Sequence, residues 1–280
     1  MPDPPDTHDP QDSQNPPEST FVDWHCHSKW SDGGAWVPEL LEQARTRGVT
    51  LGISDHGLMD NARLRTAGQI AVYMEDLARH DVLKGLEISV GEDAVADGLL
   101  DQLDYVIASL HTVRAPEGIV SAVRYLNYRA GLYPGYKPSV ARFDREAYFD
   151  VLLSSMEETF RRWPIRILGH FCLQPECVSA DAQFVLDQEP EPDDLAAEWL
   201  DEVIRLCVRS GVAIEINSKS RVPHPGMVRR ALALGARFSL GSDAHQLRRA
   251  GDLSYGVRLM GELGIPAERV LSAKDIKGAA

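Results

Sequence analysis

From Phe21 onward, short apolar runs alternate with longer stretches in which apolar residues recur every three or four positions. Seven runs read as strands: "TFVDWHCH" from Thr20, "TLGISDH" from Thr50, "LKGLEISV" from Leu83, "DYVIASLH" from Asp104, "IRILGH" from Ile165, "VAIEINS" from Val212 and "RFSLGSDAH" from Arg237. The helical stretches between them have readable ends. "VPELLEQARTRG" has Pro38 in its first turn and Gly48 as its stop, and "DREAYFDVLLSSMEETFRRW" starts after an Asp144 cap. "DDLAAEWLDEVIRLCVRSG" and "PGMVRRALALG" each run into glycine and then a strand. Strand-helix alternation of this kind predicts parallel strands covered by helices. Seven such units with no change of composition predict one α/β barrel domain over residues 21–280 rather than separate domains.

Two segments fall outside the alternation. Residues 1–20, rich in Pro and Asp and nearly without apolar side chains, cannot bury enough surface to offset their ordering entropy and are expected to be disordered. Residues 112–143, rich in Tyr and Gly, are expected to form an extended loop or a lid over a site.

Composition narrows the class. A hydrophobic fraction of 44% and a charged fraction of 25% are those of a globular chain. No apolar run approaches the roughly 20 residues that span a bilayer, and the first residues lack the basic-then-apolar order of a signal peptide. Four cysteines without a CxxC pair fit a reducing compartment. A cytoplasmic protein with no membrane partner is therefore expected. The net charge of −13, with no basic stripe, argues against long nucleic acid as a partner. A small anionic substrate remains compatible if the site carries its own positive charge, and bound metal ions would supply it.

The strand ends carry the chemistry. The first ends in His25 and His27, the second in His56, and the third carries Glu87. The fourth ends in His111, the fifth in His170, the sixth carries Glu215 and Asn217, and the seventh ends in Asp243 and His245. In a parallel barrel these ends converge on one rim, where active sites are built. Side chains two apart on a strand share a face, so His25 with His27 and Asp243 with His245 can point inward together. Cys26, Ala244 and Trp24 are then expected on the outer side. Imidazoles mixed with carboxylates suit zinc, manganese or iron better than an all-oxygen magnesium cage. So many ligands exceed the needs of one ion, which predicts two or three divalent ions. Such a cluster can generate hydroxide near neutral pH and clamp phosphoryl oxygens. Hydrolysis of a phosphate ester is the chemistry this set suits. His80 is read as a helix-end residue, and His224 as a solvated loop position with a rim residue touching substrate as the alternative.

The order His25-x-His27 with "SDG", then "SDH", "GLE", "SLH", "GH", "IEINS" and "GSDAH", resembles the PHP (polymerase and histidinol phosphatase) superfamily over nearly the whole ordered chain. The resemblance implies a distorted (β/α)7 TIM-like barrel with a trinuclear metal centre at the C-terminal strand ends. It assigns His25, His27, Glu87 and Asp243 to a first ion. Glu87 would bridge to a second ion held also by His111 and His170, and His56, His245 and Asp32 would hold a third. The chain is most similar to the histidinol-phosphate phosphatases of that superfamily; Cys172 stands where many of those carry Asp.

The expected reaction is in-line attack of a metal-bridging hydroxide on phosphorus, with Glu87, Asp243 and His245 at the reacting centre. His245, or a metal-bound water, would protonate the leaving alcohol. Lys219 and Arg221 are candidate phosphate cations, ahead of Lys29 and Arg248, and Asn217 could orient substrate. A small phosphorylated substrate, histidinol phosphate as the best single choice, is expected. The alternatives are a nucleotide or short-oligonucleotide phosphoesterase and a non-catalytic, metal-stabilised scaffold.

Overall fold

The computed structural model describes residues 21–57, 64–91, 98–115, 118–121, 145–171 and 194–277. The N-terminal 20 residues, the Asp144 cap, Cys172 and residues 122–143 of the insertion lie outside the described residues. All seven expected strands form: β1 (Phe21–Asp23), β2 (Val49–Ile53), β3 (Leu83–Ser89), β4 (Tyr105–Ser109), β7 (Ile165–Gly169), β8 (Ala213–Asn217) and β9 (Phe238–Gly241). Each pairs in parallel with the next, in the order β1-β2-β3-β4-β7-β8-β9. The sheet then closes on itself. Trp24 N donates to Leu240 O at 2.9 Å, Asp243 N to His25 O at 2.7 Å and His27 N to Ala244 O at 3.0 Å. The fold is thus a distorted TIM-like (β/α)7 barrel. The remaining two strands, β5 (Thr112–Ala115) and β6 (Gly118–Ser121), form an antiparallel hairpin at the start of the insertion.

The connecting helices are α1 (Val37–Thr46), α2 (Ala67–Leu77), α3 (Arg145–Arg162), α4 (Asp194–Ser210), α5 (Pro225–Ala233) and α6 (Ser254–Leu263), followed by the short α7 (Lys274–Lys277). In α1, Val37, Leu40, Leu41 and Ala44 form the buried stripe, Trp36 N donates to Glu39 Oε2 at 2.8 Å, and Gly48 leaves the helix at φ +66°. The hydrophobic pattern did not single out α2. Its start is nevertheless a capping box, with Gln69 N donating to Thr66 Oγ1 and Thr66 N donating to Gln69 Oε1. His80 follows α2, its backbone N–H bonded to Leu77 O, and His224 occupies the N-cap position of α5 without a side-chain capping bond.

Two apolar layers result. The larger lies between strands and helices and includes Leu86, Ile88, Val106, Ala108, Ile214, Ile216 and Cys26. The smaller fills the barrel floor with Val22, Trp24, Leu83, Tyr105, Ile107, Ile167 and Ala213. Leu83 shares a strand face with Glu87, and Ala213 shares one with Glu215, so this layer sits directly beneath the ligand positions.

One expectation about β1 needs correction. Trp24 does not pack outside with Cys26; it lies in the floor layer, edge-on to Tyr105 at 5.0 Å between ring centroids. The regular strand ends at Asp23, and Trp24 and His25 then turn inward in succession. This slip breaks the period-two alternation that the sequence pattern assumes.

Candidate metal centre

Glu87 stands at the centre of the rim. It comes from β3, is fully buried, and faces imidazoles from four other strand ends. Its Oε1 lies 3.3 Å from His25 Nε2, 3.3 Å from His111 Nε2 and 3.1 Å from His170 Nε2. Its Oε2 lies 2.7 Å from His56 Nδ1 and 3.6 Å from His27 Nε2. Asp243 approaches from the β9 side, with Oδ1 at 3.4 Å from His27 Nε2 and 3.3 Å from His245 Nδ1. Asp243 has φ +48°, a left-handed conformation uncommon outside glycine, which bends the chain after β9 toward the rim. Asp32, from the loop between β1 and α1, completes the outer edge. Its carboxylate lies 3.2 Å from His245 Nε2, 3.7 Å from His56 Nε2 and 3.8 Å from His27 Nδ1.

Four sets of side chains have ligand atoms close enough to share an ion: His27, Asp32, His56 and His245; His25, His27 and Asp243; His25, Glu87 and His170; and His56, Glu87 and His111. Every residue expected as a metal ligand falls in at least one set. His111 and His170 each join Glu87 in a different set rather than sharing one. The residues fit metal ions by a further criterion. His25 Nε2 and both ring nitrogens of His27 are buried without a hydrogen-bond partner. Buried polar atoms are rarely left in that condition unless something bonds them.

Charge follows the same geometry. Burial opposes ionisation of Glu87, but His25, His111 and His56 outweigh it and hold the carboxyl well below the usual range. Burial likewise opposes a charge on His25, yet Glu87 and Glu215 raise its pKa well above the ordinary value. His27 goes the other way: burial, reinforced by His56 and His245, keeps it neutral, as a metal ligand must be. Burial also lowers His111, to about 4. Asp243 resists burial and stays ionised beside Lys219, His245 and His27.

A supporting layer orients these side chains. Glu215 Oε1 lies 2.7 Å from His25 Nδ1, and Glu215 Oε2 accepts the backbone N–H of His170 at 2.8 Å. One carboxylate therefore fixes ligands on two strands. Gly241 makes this possible: a Cβ there would meet Glu215 Oε1 at 2.2 Å and His25 Cβ at 2.8 Å. Ser89 Oγ lies 3.1 Å from His111 Nδ1. Asn217 is fully buried; its Nδ2 donates to Glu215 Oε1 and Asp243 Oδ2, and its Oδ1 accepts Ser220 N.

Lys219 and Arg221 sit on the tight turn that follows β8, where Asn217 and Val222 bond to each other's backbone. Lys219 Nζ reaches 3.1 Å from Asp243 Oδ1 and 3.2 Å from His245 Nδ1. Arg221 is exposed, with φ +54°. Sequence reasoning passed over Asp55 and Ser28, both buried beside the centre. The "SDH" run contained Asp55, but only the fold reveals its partners.

A family model described as the PHP domain matches residues 23–219. The DNA polymerase/3'-5' exonuclease PolX of Bacillus subtilis is 21% identical over 272 residues, 91% of this chain but 39% of that protein. The chain thus spans well under half the length of that relative. A Thermotoga maritima protein named "Probable histidinol-phosphatase" is 26% identical over 243 residues, covering 82% of this chain and 87% of that protein. Among solved structures, one described under the name histidinol phosphatase hisK, from Listeria monocytogenes, superposes with a TM-score of 0.58 at 17% identity. That match covers 82% of this chain and 97% of the other, and it supports the fold.

Proposed function

Because the chain belongs to the PHP domain family, a family of metal-dependent phosphoesterases, we propose that it hydrolyses a small phosphomonoester, histidinol phosphate being the foremost candidate. The observation that carries this reading is the single buried carboxylate of Glu87 ringed by five imidazoles within 3.6 Å. Two or three divalent ions, zinc, manganese or iron by ligand type, would be held by His25, His27, Asp32, His56, Glu87, His111, His170, Asp243 and His245. When bound, such ions supply Lewis acidity toward phosphoryl oxygens and activate water near neutral pH.

The chain's own groups do the rest. Glu87, Asp243 and His245 fix the reacting centre through their place among the ligands. Lys219, at the mouth beside Asp243, presents a cation to the phosphoryl group. Arg221 on the same turn is the second candidate cation. Asn217 serves by orienting Glu215 and Asp243, since both ends of its amide are already bonded within the protein. In the net reaction a water oxygen bonds to phosphorus, the ester P–O bond breaks, and the leaving oxygen takes up a proton to give alcohol and phosphate.

Histidinol phosphate is favoured by a relative of similar length that bears that name. A nucleotide or oligonucleotide phosphoesterase is the second reading, prompted by the likeness to PolX. The net charge of −13 weighs against long nucleic acid. Steady-state kinetics of metal-loaded protein on histidinol phosphate, a mononucleotide and a short oligonucleotide separate the readings. We expect kcat/KM for histidinol phosphate to exceed that for the oligonucleotide by about a hundred-fold. Preference for the oligonucleotide would reverse the order of the readings, and full metal content with no hydrolysis of any ester would overturn the catalytic proposal.

A further inference from the structure

Asp32 is 56% exposed, more than any other proposed ligand, and is carried by the loop between β1 and α1. Something must hold that loop if a carboxylate on it is to bind an ion with fixed geometry. The loop closes on itself and on the far side of the rim. Gly33 N donates to Ser28 O, Lys29 N to Ala35 O, and Gly34 N to His245 O, all at 2.9 Å. It fits so closely that a Cβ on Gly33 would stand 2.2 Å from His27 O.

Beneath it lies Asp55, wholly buried and next in sequence to His56. Asp55 Oδ1 accepts Ser28 N at 2.8 Å, Ser31 N at 3.1 Å and Ser31 Oγ at 2.5 Å, while Oδ2 accepts Ser28 Oγ at 2.6 Å. Both oxygens are therefore spent on the loop. The backbone of Asp55 is anchored in turn: its N–H donates to Tyr73 Oη at 3.3 Å, and Tyr73 Oη donates to Gly85 O at 2.9 Å. Ser31 Oγ also stands 3.3 Å from Asp32 Oδ1. One buried acid thus ties the end of β2, which bears His56, to the loop that bears Asp32, and these two residues share a ligand set.

We propose that Asp55 is a positioning residue for the outer metal set: through Ser28 and Ser31 it holds Asp32 against His27, His56 and His245, and so sets the affinity of the outer ion without touching it. The inference rests on the reading that this outer set binds an ion. Charge-assisted bonds from a buried carboxylate are strong enough to order such a loop. Outer partners of this kind commonly change metal affinity by about ten- to a hundred-fold.

Calorimetry of manganese(II) binding to metal-stripped full-length protein tests the idea. In Asp55→Asn the weakest-bound manganese equivalent should loosen by about ten- to a hundred-fold, with the tighter equivalents unchanged. Ser31→Ala, which keeps Asp55 and both backbone donors, should show the same selective loss to a smaller degree. Asp32→Ala should abolish the weakest equivalent, and adding Asp55→Asn to it should cost nothing more. Unchanged weakest-site affinity in both Asp55→Asn and Ser31→Ala, after Asp32→Ala has removed that site, would sink the positioning role alone. Full manganese content in Asp32→Ala would overturn the outer-ion reading and this proposal with it. Equal loosening of every equivalent in both variants would also count against selective positioning.

Discussion

The two halves of the centre are built by different means. On the inner side, His25, Glu87 and His170 lie on or directly beside strands, and their side chains are at most 6% exposed. Barrel register aims them, and Glu215 fixes two of them at once. On the outer side, Asp32, His245 and Lys219 come from loops and are 56%, 26% and 41% exposed. Their geometry depends on hydrogen bonds within those loops. A barrel alone can therefore organise the proposed inner ligands, whereas the proposed outer ones need dedicated anchors. Damage inside should spread to every proposed ion, while damage outside should stay local.

The strongest test of this contrast is Glu87→Gln, which keeps the size of the side chain and removes its charge. Five imidazoles would lose the anion they share, and no other carboxylate in the described residues approaches all of them. We expect loss of most bound metal and a fall in kcat/KM of about a thousand-fold or more. Metal analysis and kinetics on a variant shown to be folded by circular dichroism would check this. Near-complete metal retention would mean that Glu87 is not the hub.

A smaller effect is expected at Glu215→Gln. This change leaves every proposed ligand in place but weakens the 2.7 Å contact to His25 Nδ1. Affinity for the inner ions should fall by about ten- to a hundred-fold. The weakest-bound equivalent, assigned to the outer set, should move least. If binding calorimetry instead showed the outer equivalent failing first, the division into two independent halves would be lost.

The same division explains what the sequence made legible. Strand-end residues are aimed by a period of two, so His27, His56, Glu87, His111, His170 and Asp243 can be gathered at one rim from the sequence pattern, and the structure groups them there. Trp24 defeated that rule because it stays on the inward face of Val22 beside Tyr105, and the irregular step falls between it and His25, which also turns inward. The start of α2 was signalled by Thr66 and Gln69, but the signal lies in capping rather than in hydrophobic period. Asp55 left no local trace, since the four hydrogen bonds of its carboxylate all reach back to Ser28 and Ser31 across more than 20 residues. The strand alternation placed Asn217 on the same face as Glu215, but its expected reach toward substrate meets an amide already bonded to Glu215 and Asp243.

Lys219 gives the mildest test and bears on sign as well as size. Its Nζ lies 3.1 Å from Asp243 Oδ1, yet the side chain is 41% exposed, so solvent screens the pair and its worth to stability is small. A cation beside the ligands opposes metal binding and favours an anionic substrate. Lys219→Met should therefore leave metal content equal to or slightly above that of the parent protein while raising KM for a phosphomonoester by about ten-fold. An inner-half change would do the reverse, losing metal first. Should Lys219→Met lose metal with KM unmoved, the lysine would belong to the scaffold that holds Asp243 rather than to the substrate side of the rim.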